Sequence, residues 1–216
     1  MNQRNYQKEM EKIIEKNKAD GQVPTLLLHS CCAPCSSYVL EYLSGYFAIT
    51  VFYYNPNIYP DEEYKKRVIE QQEFIQRFPF VHPVKFIEGD FEKEKFYEMA
   101  KGRETLKEGG ERCFLCYELR LKKTAELAKE LGFDYFTTTL SISPLKNAEK
   151  LNEIGERLGK MYGISYLVSD FKKKNGYKRS VEISKEYDMY RQYYCGCVYS
   201  KKQRDDEIAA KHKDNS

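Results

Sequence analysis

A strand that ends in a cysteine-rich turn constrains this chain more than any other stretch. In the segment TLLLHSCCAPCSSYVL an apolar run of strand length precedes three cysteines, and apolar residues at helical spacing follow them. Proline is tolerated in the first turn of a helix. We therefore predict a strand over residues 25–28, a turn carrying Cys31, Cys32 and Cys35, and a helix over residues 36–43.

The rest of the chain alternates between strand and helix patterns. Further strands are predicted at residues 48–54, 82–88, 135–140 and 165–169. Helices are predicted at residues 61–78, 91–100, about 113–131 and 148–162. Such alternation indicates right-handed βαβ crossovers. The predicted fold class is α/β, a doubly wound, Rossmann-like parallel sheet of about five strands whose ligand-binding loops gather at one edge.

The length of 216 residues suits one α/β domain with a small appendage. We predict an N-terminal helix over residues 1–20, a Rossmann-like core over residues 21–170 and a helical C-terminal extension over residues 171–216. The extension includes a helix over residues 181–190 and carries the last cysteines as a C-x-C motif.

Composition limits the compartment and the class of chemistry. No apolar run approaches the ~20 residues of a membrane span, and the charged N-terminus lacks a signal-peptide core. We therefore predict a cytoplasmic protein without a membrane partner. In that reducing compartment, seven cysteines grouped as CC-x-x-C, C-x-x-C and C-x-C indicate metal or thiol chemistry rather than a disulfide framework.

Two cysteine pairs begin two predicted helices. Cys113 and Cys116 share one face at a spacing of i and i+3, and Cys31 with Cys32 follows the first strand. Four thiolates could bind a tetrahedral zinc ion or an iron–sulfur cluster. Vicinal cysteines crowd a single tetrahedral ion more than they crowd a cube-shaped iron–sulfur cluster, whose irons accept sulfurs from several directions. This favours the cluster, and a structural zinc site is the alternative. We predict that the neighbouring His29 is a hydrogen-bonded core residue rather than a ligand.

The C-x-C motif differs from these pairs. A disulfide between Cys195 and Cys197 would close a tight ring that departs from relaxed geometry, so it would be readily reduced. This favours a redox pair. The alternative is a second metal site that includes Cys35.

Cations and tyrosines surround the C-x-C motif. Positive charge beside aromatic rings is typical of surfaces that bind single-stranded or loop RNA, although a solvated face is the alternative. The residues concerned are Lys172, Lys173, Lys174, Lys178, Arg179, Tyr190, Arg191, Tyr193, Tyr194, Tyr199, Lys201, Lys202 and Arg204.

Six motifs appear in one order between residues 26 and 200: HSCCAPC, YNPNIYP, GERCFLCYELRL, TTTLSISPLKN, DFKKKNGYKRS and YRQYYCGC. Together they resemble the QueH type of epoxyqueuosine reductase. The resemblance implies a fold similar to the adenine-nucleotide alpha-hydrolases. It also implies the last step of queuosine biosynthesis, in which the epoxide of epoxyqueuosine in a tRNA anticodon is reduced to the alkene without cobalamin.

The resemblance also implies roles by position. A [4Fe–4S] cluster would be held by Cys31, Cys32, Cys113 and Cys116, and the redox-active disulfide would join Cys195 to Cys197. The role of Cys35 is left open and includes a second metal. Because the first strand exits into cysteines rather than a glycine-rich nucleotide turn, electrons are expected from an external donor. A zinc-stabilised RNA-binding module without catalysis is the alternative function.

Overall fold

The structure, a computed structural model, describes the backbone of residues 4–214 and the side chains of residues 4–211. Its strands are β1 (Thr25–His29), β2 (Ala48–Tyr53), β3 (Lys85–Glu88), β4 (Tyr135–Thr138) and β5 (Ser165–Tyr166). Its helices are α1 (Tyr6–Ala19), α2 (Ala33–Leu43), α3 (Asp61–Arg77), α4 (Lys93–Ala100), α5 (Glu111–Glu130), α6 (Ala148–Tyr162), α7 (Gly176–Glu186) and α8 (Val198–Asp214). In this part of the chain, no helix has the length and apolarity that crossing a bilayer requires.

All strand pairs are parallel, and the strand order is β3-β2-β1-β4-β5. This confirms the predicted doubly wound, Rossmann-like α/β sheet. The chain moves outward from β1 to β3 and then returns to the other side of β1 with β4. The loops that leave β1 and β4 therefore diverge and open a crevice at the switch point. The finer likeness to adenine-nucleotide alpha-hydrolases and the predicted domain division stay predictions.

The central strands β1, β2 and β4 are buried on both faces of the sheet. Successive side chains of a strand point to opposite faces, so Leu26 and Leu28 lie in one core while Leu27 lies in the other. The first core is completed by α1, α2 and α7, and the second by α5 and α6. Helices on both faces are what a fully parallel sheet requires.

Several element boundaries differ from prediction. Helix α2 begins at Ala33 rather than residue 36, because the Cys32 carbonyl already accepts a hydrogen bond from Ser36 N at 3.1 Å. Strand β5 has two residues rather than five, since the Ser169 amide donates to Asn152 Oδ1 at 2.9 Å instead of joining the ladder. Helix α7 begins at Gly176 rather than residue 181. The predicted N-terminal helix is confirmed from Tyr6, and residues 1–3 lie outside the described part.

Candidate active site

The cysteine turn lies at the switch point between β1 and β4. The thiol sulfurs of Cys31, Cys32 and Cys35 all lie within 4.8 Å of one another. The Sγ atoms of Cys31 and Cys32 are 3.8 Å apart. Among the side chains of residues 4–211, this is the one group of three or more cysteine, histidine or acidic residues compact enough to share a metal ion. The three thiols could therefore bind a metal.

Buried polar groups fix the backbone of this turn. Gln71 Oε1 accepts hydrogen bonds from Ser30 Oγ at 2.7 Å and Ser36 Oγ at 2.9 Å. Asn55 Nδ2 donates to the Ser30 carbonyl at 2.8 Å. Supporting hydrogen bonds of this kind orient metal-binding side chains in general. The thiols are therefore pre-positioned by α3 and by the loop after β2.

His29 is a core residue, as predicted. Its Nε2 lies 3.1 Å from the Tyr54 carbonyl, which can only accept, so Nε2 carries the proton. Its Nδ1 then accepts from Thr138 Oγ1 at 2.9 Å. Complete burial lowers the pKa of His29 to about 3, so the ring is neutral. Both nitrogens are occupied, which leaves no lone pair for a metal.

Cys113 and Cys116 lie in the first turns of α5, outside the compact group of three. Cys113 Sγ accepts a hydrogen bond from Gly109 N at 3.2 Å, and Cys113 belongs to the core cluster against which Cys31 packs. Cys116 packs beside Cys197, and burial raises the pKa of its thiol to about 12. The sharing of one cluster with Cys31 and Cys32 stays a prediction.

Buried guanidinium groups lie next to the thiols. Arg67 and Arg120 are each 1% exposed. Arg120 has no carboxylate within 4.0 Å among the described residues, and the thiols of Cys116, Cys195 and Cys31 raise the pKa of its guanidinium against the opposing effect of burial. Arg67 pairs with Glu63 at 2.7 Å, but its Nη2 has no hydrogen-bond partner.

A buried charge without a counter-charge is costly. The guanidinium of Arg120 therefore favours negative charge on the thiols beside it. Thiolates bound to a metal centre supply such charge, because a coordinating thiol is deprotonated. The donor set and the buried cations thus fit an anionic, thiolate-bound metal centre.

The two thiols of the C-x-C motif have different surroundings. Cys195 lines the crevice, with its Sγ 2.8 Å from Lys146 Nζ. Cys197 is buried, and its Sγ accepts a hydrogen bond from Ser200 N at 3.3 Å. Burial raises the pKa of Cys197. All seven cysteines are free thiols in the structure, so the predicted disulfide stays a prediction.

The crevice is a cavity of about 170 Å³ with a sulfur-rich floor and an aromatic rim. Its floor includes Cys31, Cys32, Cys35, Arg67, Glu108, Arg120, Lys146 and Cys195. Its rim includes Tyr177 and Tyr193, which are 42% and 50% exposed. The polar floor and the exposed rings therefore belong to one binding site.

Many of the predicted RNA-binding cations are paired within the protein. Arg179 bonds Glu41 at 2.6 Å and Glu186 at 2.8 Å. Ion pairs also join Lys172 to Asp170, Lys174 to Glu11, Lys201 to Asp205, and Arg204 to Glu207. Arg191 and Arg204 line the crevice. Lys173, Lys178 and Lys202 have no ion-pair partner among the described residues, and the RNA-binding surface stays a prediction.

Sequence reasoning assigned no role to Arg67, Glu108, Arg120 and Lys146. A signal was available for Arg67, which falls on the same stripe of α3 as the buried Tyr64 and Val68. Arg120 occupies the equivalent stripe of α5. Charged residues at core positions of a helix indicate a buried charged site.

Comparison with known proteins agrees with the motifs. The family described as "Epoxyqueuosine reductase QueH" matches residues 26–203, which include all seven cysteines. The chain belongs to the QueH family.

A QueH protein of Streptococcus pyogenes serotype M1 is 44% identical over 97% of this chain and 83% of its own length. That of Staphylococcus epidermidis is 46% identical over 91% of this chain and 84% of its own length. That of Thermotoga maritima is 35% identical over 86% of this chain and 94% of its own length. Each of the three is named epoxyqueuosine reductase QueH, and the match confirms the resemblance carried by the six motifs.

Proposed function

We propose that this chain reduces the epoxide of epoxyqueuosine in a tRNA anticodon to the alkene of queuosine. The observation that carries the proposal is the sulfur-rich crevice at the switch point of a QueH-family chain. Cysteine thiols from the β1 exit and from the C-terminal extension line it together. Membership of an enzyme family favours this function over a zinc-stabilised RNA-binding module.

Cys31, Cys32, Cys113 and Cys116 hold a [4Fe–4S] cluster in this proposal. This assignment is supported by the position of both pairs at helix N-termini and by the buried guanidinium of Arg120, whose pKa is raised by the thiols of Cys116 and Cys31. When bound, the cluster supplies one-electron transfer. Cys35, as a member of the compact group of three thiols, is the candidate ligand for a second metal.

Cys195 and Cys197 supply the second store of electrons. Converting an epoxide to an alkene with release of water needs two electrons and two protons, and a dithiol that becomes a disulfide provides both. Cys195 is the member that lines the crevice, and Cys197 lies two residues away. An external donor then returns the disulfide to the dithiol.

The tRNA anticodon is proposed to approach over the aromatic rim. Exposed rings can stack on unpaired bases, and the cations of the C-terminal extension can contact phosphates. The modified base would enter between the cysteine turn and Cys195. This places the epoxide at the thiols without opening the core.

Conversion of epoxyqueuosine in tRNA by anaerobically prepared protein tests the proposal. Digestion of the tRNA to nucleosides, followed by mass spectrometry, should show queuosine appearing over many turnovers with excess reductant. A Cys197→Ser variant should keep its iron, its absorption and its tRNA binding while losing multiple turnover. Colourless wild-type protein that holds one equivalent of zinc and makes no queuosine would instead support the RNA-binding module.

Thiol trapping of the same reaction follows the electrons. After a single turnover without added reductant, Cys195 and Cys197 of the wild-type protein should resist alkylation because they have formed a disulfide. If both remain fully alkylatable after queuosine has formed, the electrons came from elsewhere. A metal-ligand role beside Cys35 then becomes the better account of the motif.

A further inference from the structure

The exit of β4 places a lysine on the floor of the crevice. A 3₁₀ helix over Thr139–Ile142 follows β4, and Lys146 N then donates to the Ser143 carbonyl at 3.1 Å. The next residue, Asn147, caps α6 by accepting a hydrogen bond from Lys150 N at 2.9 Å. The backbone on both sides of Lys146 is therefore fixed, and its buried side chain lines the crevice.

The ammonium of Lys146 lies between a thiol and a carboxylate. Its Nζ is 2.8 Å from Cys195 Sγ and 3.2 Å from Glu108 Oε1. A lysine ammonium has three N–H donors, and these two contacts occupy two of them. The third is left for a group that enters the cavity. Glu108 Oε2 is buried without a hydrogen-bond partner, so the carboxylate also has spare capacity to hold the ammonium.

The groups around Lys146 set the balance between its ammonium and its neutral amine. Burial alone favours the neutral amine, but Cys195, Tyr117 and Glu108 face it and together raise its pKa well above the usual value. Cys195 is the largest of these three stabilising influences. In a disulfide Cys195 has no ionisable thiol, so this stabilising influence on the ammonium is lost. The buried ammonium is then left with one carboxylate and releases a proton more readily.

We infer that Lys146 is a catalytic residue of the reaction proposed above, which holds Cys195 as the thiolate and donates a proton to the epoxide oxygen. Glu108 is a positioning residue that orients the ammonium between the sulfur and the substrate. The inference rests on the proposed function for its substrate. The pairing of Lys146 with Cys195 is independent of that substrate.

Atoms and electrons balance in this step. The reduced site holds the Lys146 ammonium, the Cys195 thiolate and the Cys197 thiol. Both C–O bonds of the epoxide break and a C=C bond forms, while an S–S bond forms between Cys195 and Cys197 and supplies two electrons. The oxygen leaves as water with one proton from Lys146 and one from Cys197. The external reductant then supplies two electrons, and solvent supplies two protons that restore the thiol and the ammonium.

Two substitutions separate the two roles of Lys146. Lys146→Met removes the charge, so alkylation of Cys195 near pH ~7 should slow about tenfold because the thiolate is the reactive form. Lys146→Arg keeps the charge but cannot give up a proton in a protein. In this variant the reagent should alkylate Cys195 at a rate within about threefold of the wild-type rate. Conversion of epoxyqueuosine should nevertheless be about 10²- to 10⁴-fold slower, which is the usual contribution of a positioned acid.

The experiment measures both quantities on anaerobically prepared protein. Peptide mass spectrometry with light and heavy iodoacetamide gives the alkylation rate at Cys195, and single-turnover assays give conversion. Lys150→Met is the matched control, because Lys150 lies one turn further along and pairs with Glu153 outside the crevice. Lys146→Gln repeats the charge removal if the methionine variant loses its iron or its folded circular dichroism.

Two results would overturn the inference. One is alkylation of Cys195 at the wild-type rate in both Lys146→Met and Lys146→Gln. The other is conversion by Lys146→Arg at the wild-type rate. If the wild-type protein itself makes no queuosine, the proposed function fails, and the alkylation rates still judge the pairing of Lys146 with Cys195.

Discussion

Gly196 determines how the two thiols of the C-x-C motif are presented. Its φ of +135° is a backbone conformation that residues with a side chain rarely adopt. A Cβ added there would lie 3.2 Å from Arg67 Nη1 and from Asn57 Nδ2. Its carbonyl accepts a hydrogen bond from Tyr59 N at 2.8 Å. The glycine therefore lets the motif lie against the loop after β2. Cys195 then faces the crevice while Cys197 is buried.

Replacing Gly196 should disturb this presentation. We expect Gly196→Ala to lower the free energy of unfolding by about 1–3 kcal/mol, the cost of one residue held in a sparsely populated conformation. Conversion of epoxyqueuosine should fall as well. Denaturant unfolding measures the first effect and the nucleoside assay the second.

Gly45→Ala is the matched control for this substitution. Gly45 has no atom within 4 Å of its added Cβ and no left-handed φ, so its change in stability should stay within about 1 kcal/mol. If Gly196→Ala matches the wild-type protein in both stability and conversion, the glycine has no special role in presenting the thiols.

Whole elements were predictable where the signal is local. The apolar run before the cysteines predicted the start of β1, the helical spacing after them predicted the end of α2, and the end of α6 was predicted at its observed residue. The end of β5 was not predictable, because Ser169 bonds to Asn152 of α6 rather than to a strand. Such a contact between distant residues leaves no local pattern.

The site was predictable only in part for the same reason. Cys35 joins Cys31 and Cys32 because α2 begins early enough to include it in its first turn. The pairing of Arg179 with Glu41 joins residues 138 positions apart and neutralises a cation that the sequence offers for RNA. The number of cations in the sequence is therefore larger than the number that remains unpaired and available to bind RNA.

The segment between α7 and α8 is expected to bind unpaired bases through its exposed ring. Replacing Tyr193 with alanine should weaken tRNA binding by about 1–3 kcal/mol, the usual value of stacking one base on an aromatic side chain. Tyr193→Phe should retain binding because the ring remains. Fluorescence anisotropy with labelled tRNA at one fixed salt concentration gives both affinities.

Tyr97→Ala is the control for ring loss at the surface. Tyr97 is 40% exposed and does not line the crevice, so its removal should leave the affinity for tRNA unchanged. Equal affinity of Tyr193→Ala and Tyr97→Ala would mean that the aromatic rim is a solvated face.

The sheet topology assembles the crevice from residues far apart in sequence. Cys31 follows β1, Lys146 follows β4 and Cys195 belongs to the C-terminal extension, yet all three line one cavity. Cys113 and Cys116 reach the same region from the start of α5. The proposed reaction depends on Cys31, Cys32, Cys113 and Cys116 holding one cluster beside the substrate crevice.

The iron and acid-labile sulfide content of anaerobically prepared protein tests that dependence most directly. We expect about four irons and four sulfides per chain with a broad brown absorption in the wild-type protein, and the same in Cys197→Ser. A variant with both Cys113 and Cys116 replaced by alanine should keep its folded circular dichroism and lose most of its iron and sulfide. Full cluster occupancy in that double variant would contradict the account, because Cys113 and Cys116 would then not be ligands.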